Sequence, residues 1–190
     1  MTRLTLERSL PVDVSTEPIE AWRTWALTSR RDGSRLLLRP VAAGSRPWPT
    51  GRPAEAICKT GWGHPAPHVG CSCGLHGTHE PDLLRRTRSP AVLGRVAFWG
   101  RVIEHELGFR ARFGYPQRIR LLCQFCFWLR GGDGSDPSVV GWFPRDDLLP
   151  MCDDHVEIAG RYGMRPRQLF DADEVEQRLR GEYAVDLLPR

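Results

Sequence analysis

Two short pairs of candidate metal ligands constrain this chain more than any other feature of its sequence. The first pair is Cys123-Gln-Phe-Cys126 and the second is Cys152-Asp-Asp-His155, with 25 residues between them. Two residues between ligands let both side chains of a pair reach one metal ion, and two such pairs complete a tetrahedral site. The alternative is a set of core cysteines and an unrelated surface histidine. Thiolate and imidazole ligands together favour zinc over hard cations.

A second group of candidate ligands lies in residues 42–81, which are rich in proline and glycine. A segment of this length without secondary structure is unusual in a compact domain unless something holds it together. The most compact choice of ligands is Cys58, His64, Cys71 and Cys73. His68 or His76 can replace His64 in this set, and surface histidines without a metal are the remaining alternative. The sequence therefore predicts two structural zinc sites.

Several segments before and between the candidate ligands predict a β-sheet. Phe109, Ala111 and Phe113 alternate with Arg110 and Arg112, which is typical of a half-buried strand. Further strands are expected over residues 22–28, 35–41, 92–106, 118–122 and 139–143, with a turn at Asp32-Gly33 in the first hairpin. Glycines inside these strands indicate bulges, as expected where a sheet curls into a small barrel.

Two helices are predicted in the C-terminal third. One begins near Cys152, so that the second ligand pair lies at a helix start. The other runs over residues 171–184, with Asp171 as its N-cap and Glu174 three residues later. The predicted fold class is α+β, a small curled antiparallel β-sheet or barrel with C-terminal helices. Its zinc finger is treble-clef-like, with a β knuckle at Cys123 and Cys126.

Three parts of the chain follow from this pattern. Residues 1–18 are expected to form an N-terminal arm, residues 19–165 a zinc-stapled β-rich domain, and residues 166–190 a C-terminal helix packed on it. No stretch of 18 apolar residues occurs and the N-terminus has no apolar signal core, so we expect no membrane association. Six cysteines without an export signal indicate reduced thiols and a cytoplasmic location.

Charge is compatible with a polyanionic partner but does not establish one. The net charge is +4, and Lys59 is the only lysine among 27 basic residues, so part of the arginine excess reflects a GC-rich genome. Arginines on two neighbouring strands, with Trp99 and Trp128 nearby, can hold a phosphate backbone and stack bases. The candidate nucleic-acid-binding residues are Arg85, Arg86, Arg110, Arg112, Arg118 and Arg120. A protein partner is an equal alternative.

Several short motifs together resemble an uncharacterised family found in GC-rich actinobacteria. They are Trp48-Pro49, Cys71-x-Cys73-Gly74, Trp99-Gly100-Arg101-Val102-x-Glu104-His105 and Gly108-Phe109-Arg110-Ala111. The resemblance covers about residues 22–160. It implies no activity and supports the choice of metal ligands. The family often has Tyr at the position of His76, which argues against His76 as a ligand.

The functional expectation is a non-enzymatic binding or regulatory protein. Both predicted sites have four protein ligands, whereas a catalytic zinc keeps an open position. The sequence has no motif of a known hydrolase, nucleotide-binding or deaminase site, and Glu104 and Glu106 point away from His105 on a strand. The alternative is an unrecognised hydrolase or transferase on a zinc-stabilised scaffold. A redox role for Cys123 and Cys126 is disfavoured, because thioredoxin-like motifs follow a strand, open a helix and need no distant Cys-x-x-His pair.

Overall fold

The computed structural model describes residues 13–30, 33–42, 46–60, 63–85, 87–88, 90–130, 136–144 and 147–189. The strands of this part of the chain are β1 (Asp13–Ser29), β2 (Leu36–Pro40), β3 (Ala54–Glu55), β4 (Leu75–Thr78), β5 (Val92–His105), β6 (Gly108–Leu121), β7 (Val139–Trp142), β8 (Asp147–Met151), β9 (Gln168–Asp171) and β10 (Asp186–Leu187). Its helices are a 3-10 helix (Pro81–Leu84), α1 (Gln124–Arg130), α2 (Asp153–Arg161) and α3 (Ala172–Tyr183). The predicted α+β class with a mostly antiparallel sheet is confirmed.

Four strand pairings close part of the sheet on itself. β1 pairs with β5, β5 with β6, and β6 with β4, all antiparallel. β4 then returns to β1 through the pair Trp22 and Thr78. Of the described strand pairs, only β10 with β6 is parallel. The closed circuit β1–β5–β6–β4 therefore surrounds a small interior, in line with the expected curled sheet or barrel.

Phe98 of β5 fills this interior and is completely buried. A Cβ atom on Gly77 of β4 would lie 2.6 Å from its ring and 2.8 Å from Cβ of Ala21. Position 77 therefore has no room for a side chain. Gly100 has a φ of +75° where the β5–β6 register shifts, so it supplies the left-handed backbone that a bulge requires.

The predicted hairpin at the N-terminal side of the barrel is present. β1 and β2 pair antiparallel from Trp25 with Pro40 to Ser29 with Leu36. Gly33 in the connection has a φ of +70°, while Asp32 lies outside the described residues. β1 begins at Asp13, so it includes residues 13–18 of the expected arm, while residues 1–12 lie outside the described residues. Pro18, which cannot donate to a ladder, lies where the β1–β5 register is interrupted.

A second group of strands extends from β1. β8 pairs with β1, β7 with β8, and β9 with β7, so the sheet continues away from the barrel. α3 has the predicted N-cap, since the Asp171 carboxylate accepts the Glu174 N–H at 3.0 Å. The hydroxyl of buried Tyr183 in α3 donates to Trp48 O at 3.0 Å and accepts from Leu38 N at 2.9 Å. α3 thus packs into the same core as β2. The three-part division of the chain stays a prediction.

α1 was not expected from the sequence. Cys123 directly precedes it and Cys126 lies in its first turn, so the first ligand pair is on a helical turn. The expected β knuckle is therefore wrong. The helical turn forms because Phe127 N donates to Cys123 O at 2.9 Å, and because the Phe127 ring packs on Leu93 and Leu122. Among the described helices, none has both the length and the apolar character that a membrane crossing needs.

Candidate metal centres

The C-terminal centre forms where α1 and α2 begin. Cys123 and Cys126 come from the start of α1, Cys152 is the N-cap residue of α2, and His155 lies in the first turn of α2. All four residues are buried, with 2% to 8% of their surface exposed. The Phe125 ring stacks on the His155 imidazole, with ring centres 5.1 Å apart, and so shields one side of the site. The structure thus brings the predicted four-ligand set together.

Four distances between the ligand atoms are close to the edges of a tetrahedron around a metal ion, two of them slightly shorter. Sγ of Cys126 and Sγ of Cys152 are 3.6 Å apart. Nδ1 of His155 lies 3.1 Å from Sγ of Cys152, 3.4 Å from Sγ of Cys126 and 3.5 Å from Sγ of Cys123. Tetrahedral zinc with ordinary Zn–S and Zn–N bonds has edges of about 3.5–3.8 Å. The donor set and its spacing therefore fit a metal of this kind.

The chemistry of the buried thiols also fits metal ligation better than redox reactivity. Cys123-x-x-Cys126 does follow strand β6 and open α1, so the expectation that this context is absent is wrong. Burial raises the pKa of Cys126 to about 12, and burial also raises the pKa of Cys123. A reactive cysteine needs a lowered pKa and access to solvent. A bound metal, by contrast, holds buried cysteines as thiolates.

The N-terminal centre lies between β3 and β4. Its ligand atoms come from Cys58, His64, Cys71 and Cys73, all within 4.8 Å of one another. Sγ of Cys58 is 3.4 Å from Nε2 of His64 and 3.9 Å from Sγ of Cys71. These residues are half-buried, in contrast to the C-terminal centre. The second predicted set is therefore also brought together, at a looser and more accessible site.

Two local contacts prepare His64 and Cys58 as ligands. Nδ1 of His64 lies 3.2 Å from the carbonyl oxygen of Pro65 and 4.0 Å from Sγ of Cys73, and a proton on Nδ1 that is donated to Pro65 O would leave Nε2 to bind the metal beside Cys58. Thr60 Oγ1 is 3.0 Å from Sγ of Cys58. Hydrogen bonds from the side chain and backbone of Thr60 lower the pKa of Cys58 to about 7. Cys58 is thus close to its metal-binding thiolate form at neutral pH.

The alternatives to His64 lie outside the ligand set. Nδ1 of His68 accepts the Gly70 N–H at 3.2 Å, and its ring stacks on His64 with centres 4.5 Å apart. Nε2 of His76 lies 2.9 Å from the carbonyl oxygen of Ser72, and burial lowers the pKa of His76. Within the described residues, His64 is the histidine that completes this centre.

Arg110 supports the N-terminal centre, a role that the sequence analysis missed. Its Nη1 donates to the backbone carbonyls of His68 and Cys73 at 3.3 and 3.4 Å, and also to the carbonyl of Cys71. One guanidinium on β6 therefore holds the ligand loop in place from three points. The only sequence signal was an arginine on a strand of alternating pattern, which does not distinguish this role from a surface charge.

The remaining candidate arginines that the structure describes have different surroundings. Arg112 pairs with Glu55 at 3.0 Å and Arg85 with Asp82 at 2.9 Å. Arg118 and Arg120 lie further along β6, and Arg86 is outside the described residues. Of the two aromatics, Trp99 stacks on Phe113 while Trp128 is 43% exposed.

Glu104 and His105, which the sequence analysis considered for acid–base chemistry, lie close to His79. Nε2 of His79 lies 3.7 Å from the Glu104 carboxylate and 3.2 Å from the carbonyl oxygen of His105. An open cleft of about 770 Å3 lies between β6 and the end of α3, lined by Tyr115, Gln117, Arg180 and neighbouring residues. Neither arrangement contains a residue of either metal centre.

Comparison with known proteins adds nothing to this assignment. No protein-family model, curated protein or solved structure matches the chain.

Proposed function

We propose that this chain is a non-enzymatic binding protein whose fold is held by two structural zinc centres. The observation that carries the proposal is the tetrahedral spacing of the four buried ligand atoms at the C-terminal centre, 3.1–3.6 Å in the closest pairs. Three thiolates and one imidazole in a closed site favour zinc over magnesium, calcium or manganese. The N-terminal centre has the same donor set.

A structural role follows from the number of ligands. Each centre offers four protein side chains, so a tetrahedral ion has no position left for water or substrate. For this reason, neither zinc ion would have a free position to activate water for a hydrolase reaction. At the C-terminal centre the order of ligand pair, β7–β8 hairpin and helix α2 supports a treble-clef-like zinc finger, despite the helical first pair.

The centres connect parts of the chain that are distant in sequence. The C-terminal ion ties α1, which ends the barrel, to α2, which follows the β7–β8 hairpin. The N-terminal ion closes the loop between β3 and β4, and Arg110 fastens that loop to β6. Such a scaffold presents rigid surfaces to a partner, either nucleic acid or protein, in a regulatory role. Six free cysteines favour a reducing compartment, so we place the protein in the cytoplasm.

Metal content tests this proposal directly. Protein purified without chelator is expected to hold two zinc ions per chain by elemental mass spectrometry. X-ray absorption should report three sulfur ligands at about 2.3 Å and one nitrogen at about 2.0 Å. Cys58→Ser should retain one zinc, which separates the two centres. Protein without zinc, or with iron in its place, would contradict the proposal.

A further inference from the structure

We propose that the outer surface of β1, β5 and β6 binds single-stranded nucleic acid. We call this surface the arginine–tryptophan face and define it by Trp22, Arg95, Arg118, Arg120 and Trp128. The inference rests on the proposed function, since it names the partner class of a zinc-held binding protein. Of the six arginines expected from the sequence, the face keeps Arg118 and Arg120. It adds Arg95, which strand pairing places opposite Arg118.

Strand pairing places these residues side by side. Trp22 on β1 is directly opposite Arg95 on β5, and Arg95 is directly opposite Arg118 on β6. Directly opposed residues of neighbouring strands project from the same side of a sheet, with strands about 4.8 Å apart. Leu93 and Arg120 form the next row, two residues along each strand. Leu93 is buried under Phe127, so the face consists of the Trp22–Arg95–Arg118 row and Arg120 beside it.

The two arginines on β6 are available to a ligand. Arg118 is exposed and Arg120 half-buried, and neither side chain has an ion pair or hydrogen bond with the described residues. Two acidic residues are close: Glu20 holds Arg95 at 2.8 Å, and Asp186 of β10 is next to Arg118 across the sheet. Three guanidiniums against two carboxylates leave a positive surface. Guanidinium groups bind phosphate oxygens in a bidentate manner.

Trp128 supplies a fixed aromatic surface at the edge of the face. Its indole Nε1 donates to the carbonyl oxygen of Thr87 at 2.9 Å, yet the side chain is 43% exposed. The neighbouring Phe127 is buried against Leu93, with Trp22 packed on the same cluster. The exposed indole thus lies on helix α1, which packs on Leu93, the direct neighbour of Arg120 across β5 and β6.

This combination favours nucleic acid over an acidic protein. The indole N–H of Trp128 already donates to Thr87 O and is not available to a carboxylate. The exposed ring can still stack on a base. Bases are accessible for stacking in single strands and not in duplexes, so the expected partner is single-stranded. Arg95 already stacks over the Trp22 ring at 4.8 Å, which leaves Trp128 as the stacking platform.

The test is a fluorescence anisotropy titration of a labelled oligothymidylate with zinc-loaded protein, at salt concentrations between about 50 and 200 mM. The variant is Arg118→Ala with Arg120→Ala. The matched control is Arg165→Ala with Arg167→Ala, which removes the same charge from an exposed segment after α2. A third variant, Trp128→Leu, removes the stacking surface without changing the charge. Metal content and Tm are measured on every sample.

We expect the Arg118/Arg120 variant to bind about tenfold or more weakly at low salt. The slope of log K against log salt should fall by about 1.4, for two phosphate contacts on a single strand. Trp128→Leu should weaken binding by about tenfold. The control should stay within about twofold of the unmodified protein, because its arginines lie elsewhere. These results together support the face as the binding surface.

Three results would overturn the inference. The first is a zinc-loaded protein with normal Tm that does not bind the oligonucleotide, which leaves the zinc scaffold intact. The second is an equal loss in the Arg165/Arg167 control, which would mean diffuse charge attraction. The third is competition by polyglutamate equal to that of the oligonucleotide, with no effect of Trp128→Leu, which would indicate an acidic protein partner. Missing zinc, in contrast, would contradict the proposed function itself.

Discussion

The Sγ atoms of Cys126 and Cys152 lie 3.6 Å apart although the residues are 26 positions apart in the chain. A disulfide requires about 2.05 Å, so this distance is far too long for a covalent bond. It matches the edge of a tetrahedral zinc–thiolate site, about 3.8 Å. The two cysteines are therefore expected to be joined through a shared ion, which links the start of α1 to the start of α2.

Loss of this link should unfold the protein. Cys152→Ser is expected to remove one zinc and to abolish the cooperative unfolding transition. Zinc binding by small zinc domains contributes about 10–16 kcal/mol, as much as the whole stability of an ordinary domain, about 5–15 kcal/mol. Circular dichroism and elemental analysis check both effects, with Cys58→Ser as the control that keeps the C-terminal zinc. A folded Cys152→Ser protein with unchanged Tm would refute the structural role.

The two centres should release their metals at different rates. Ligands of the N-terminal centre are half-buried, whereas those of the C-terminal centre are 2–8% exposed. A chelator reaches a buried ion only after local opening, so the N-terminal ion is expected to leave about tenfold faster or more. Release of zinc to a chromogenic chelator should show two phases. The fast phase should be missing in Cys58→Ser. If it persists in this variant, the fast-released zinc does not come from the N-terminal centre, which would contradict the prediction.

Arg110 should control the affinity of the N-terminal centre. Arg110→Ala removes the donor to the carbonyls of His68, Cys71 and Cys73. Contacts that orient metal ligands typically change metal affinity about 10- to 100-fold when lost, and we expect that range here. Competition with a chelator of known affinity measures it. Arg112→Ala is the matched control. The ion pair between Arg112 and Glu55 is exposed, and exposed ion pairs contribute little to stability. Equal affinities in both variants would contradict the role of Arg110.

Gly77 should be sensitive to the smallest side chain. A methyl group at this position would lie 2.6 Å from the Phe98 ring inside the closed strand circuit. Overpacking of this kind costs about 1–3 kcal/mol, so Gly77→Ala should lower Tm. Gly181→Ala in α3 is the control: no atom lies within 4 Å of its new Cβ, and alanine favours helix by about 1 kcal/mol. If Gly77→Ala is as stable as Gly181→Ala in thermal unfolding, the described packing around Phe98 is incorrect.

Spacing and periodicity predicted the elements that depend on near neighbours. The N-cap Asp171, the alternating strand around Phe109 and the helix after Cys152 were all expected and are present. Each rests on contacts within a few residues, which sequence patterns report directly. Helix α1 was missed because its apolar residues Phe125 and Phe127 also suit a strand, and long-range packing on Leu93 decides between the two.

The metal ligands were within reach of sequence alone, since cysteine spacing reflects the geometry of one ion. The roles of the individual arginines could not be predicted from the sequence. Arg110 and Arg118 look equivalent in the sequence, yet one holds a ligand loop and the other is free on an outer face. Register shifts between β5 and β6, one at Gly100, set which neighbours each residue meets.

The sequence by itself determined the C-terminal ligand set, the cysteines of the N-terminal set, the alternating strand around Phe109 and the C-terminal helix, because ligand spacing and periodicity are local patterns. Only the tertiary structure decided that His64 completes the N-terminal centre and that Cys126 lies on a helix. It alone placed Trp22, Arg95 and Arg118 in one row across three strands. These features depend on register and packing between distant segments, where a shift of one residue moves a side chain to the opposite side of the sheet.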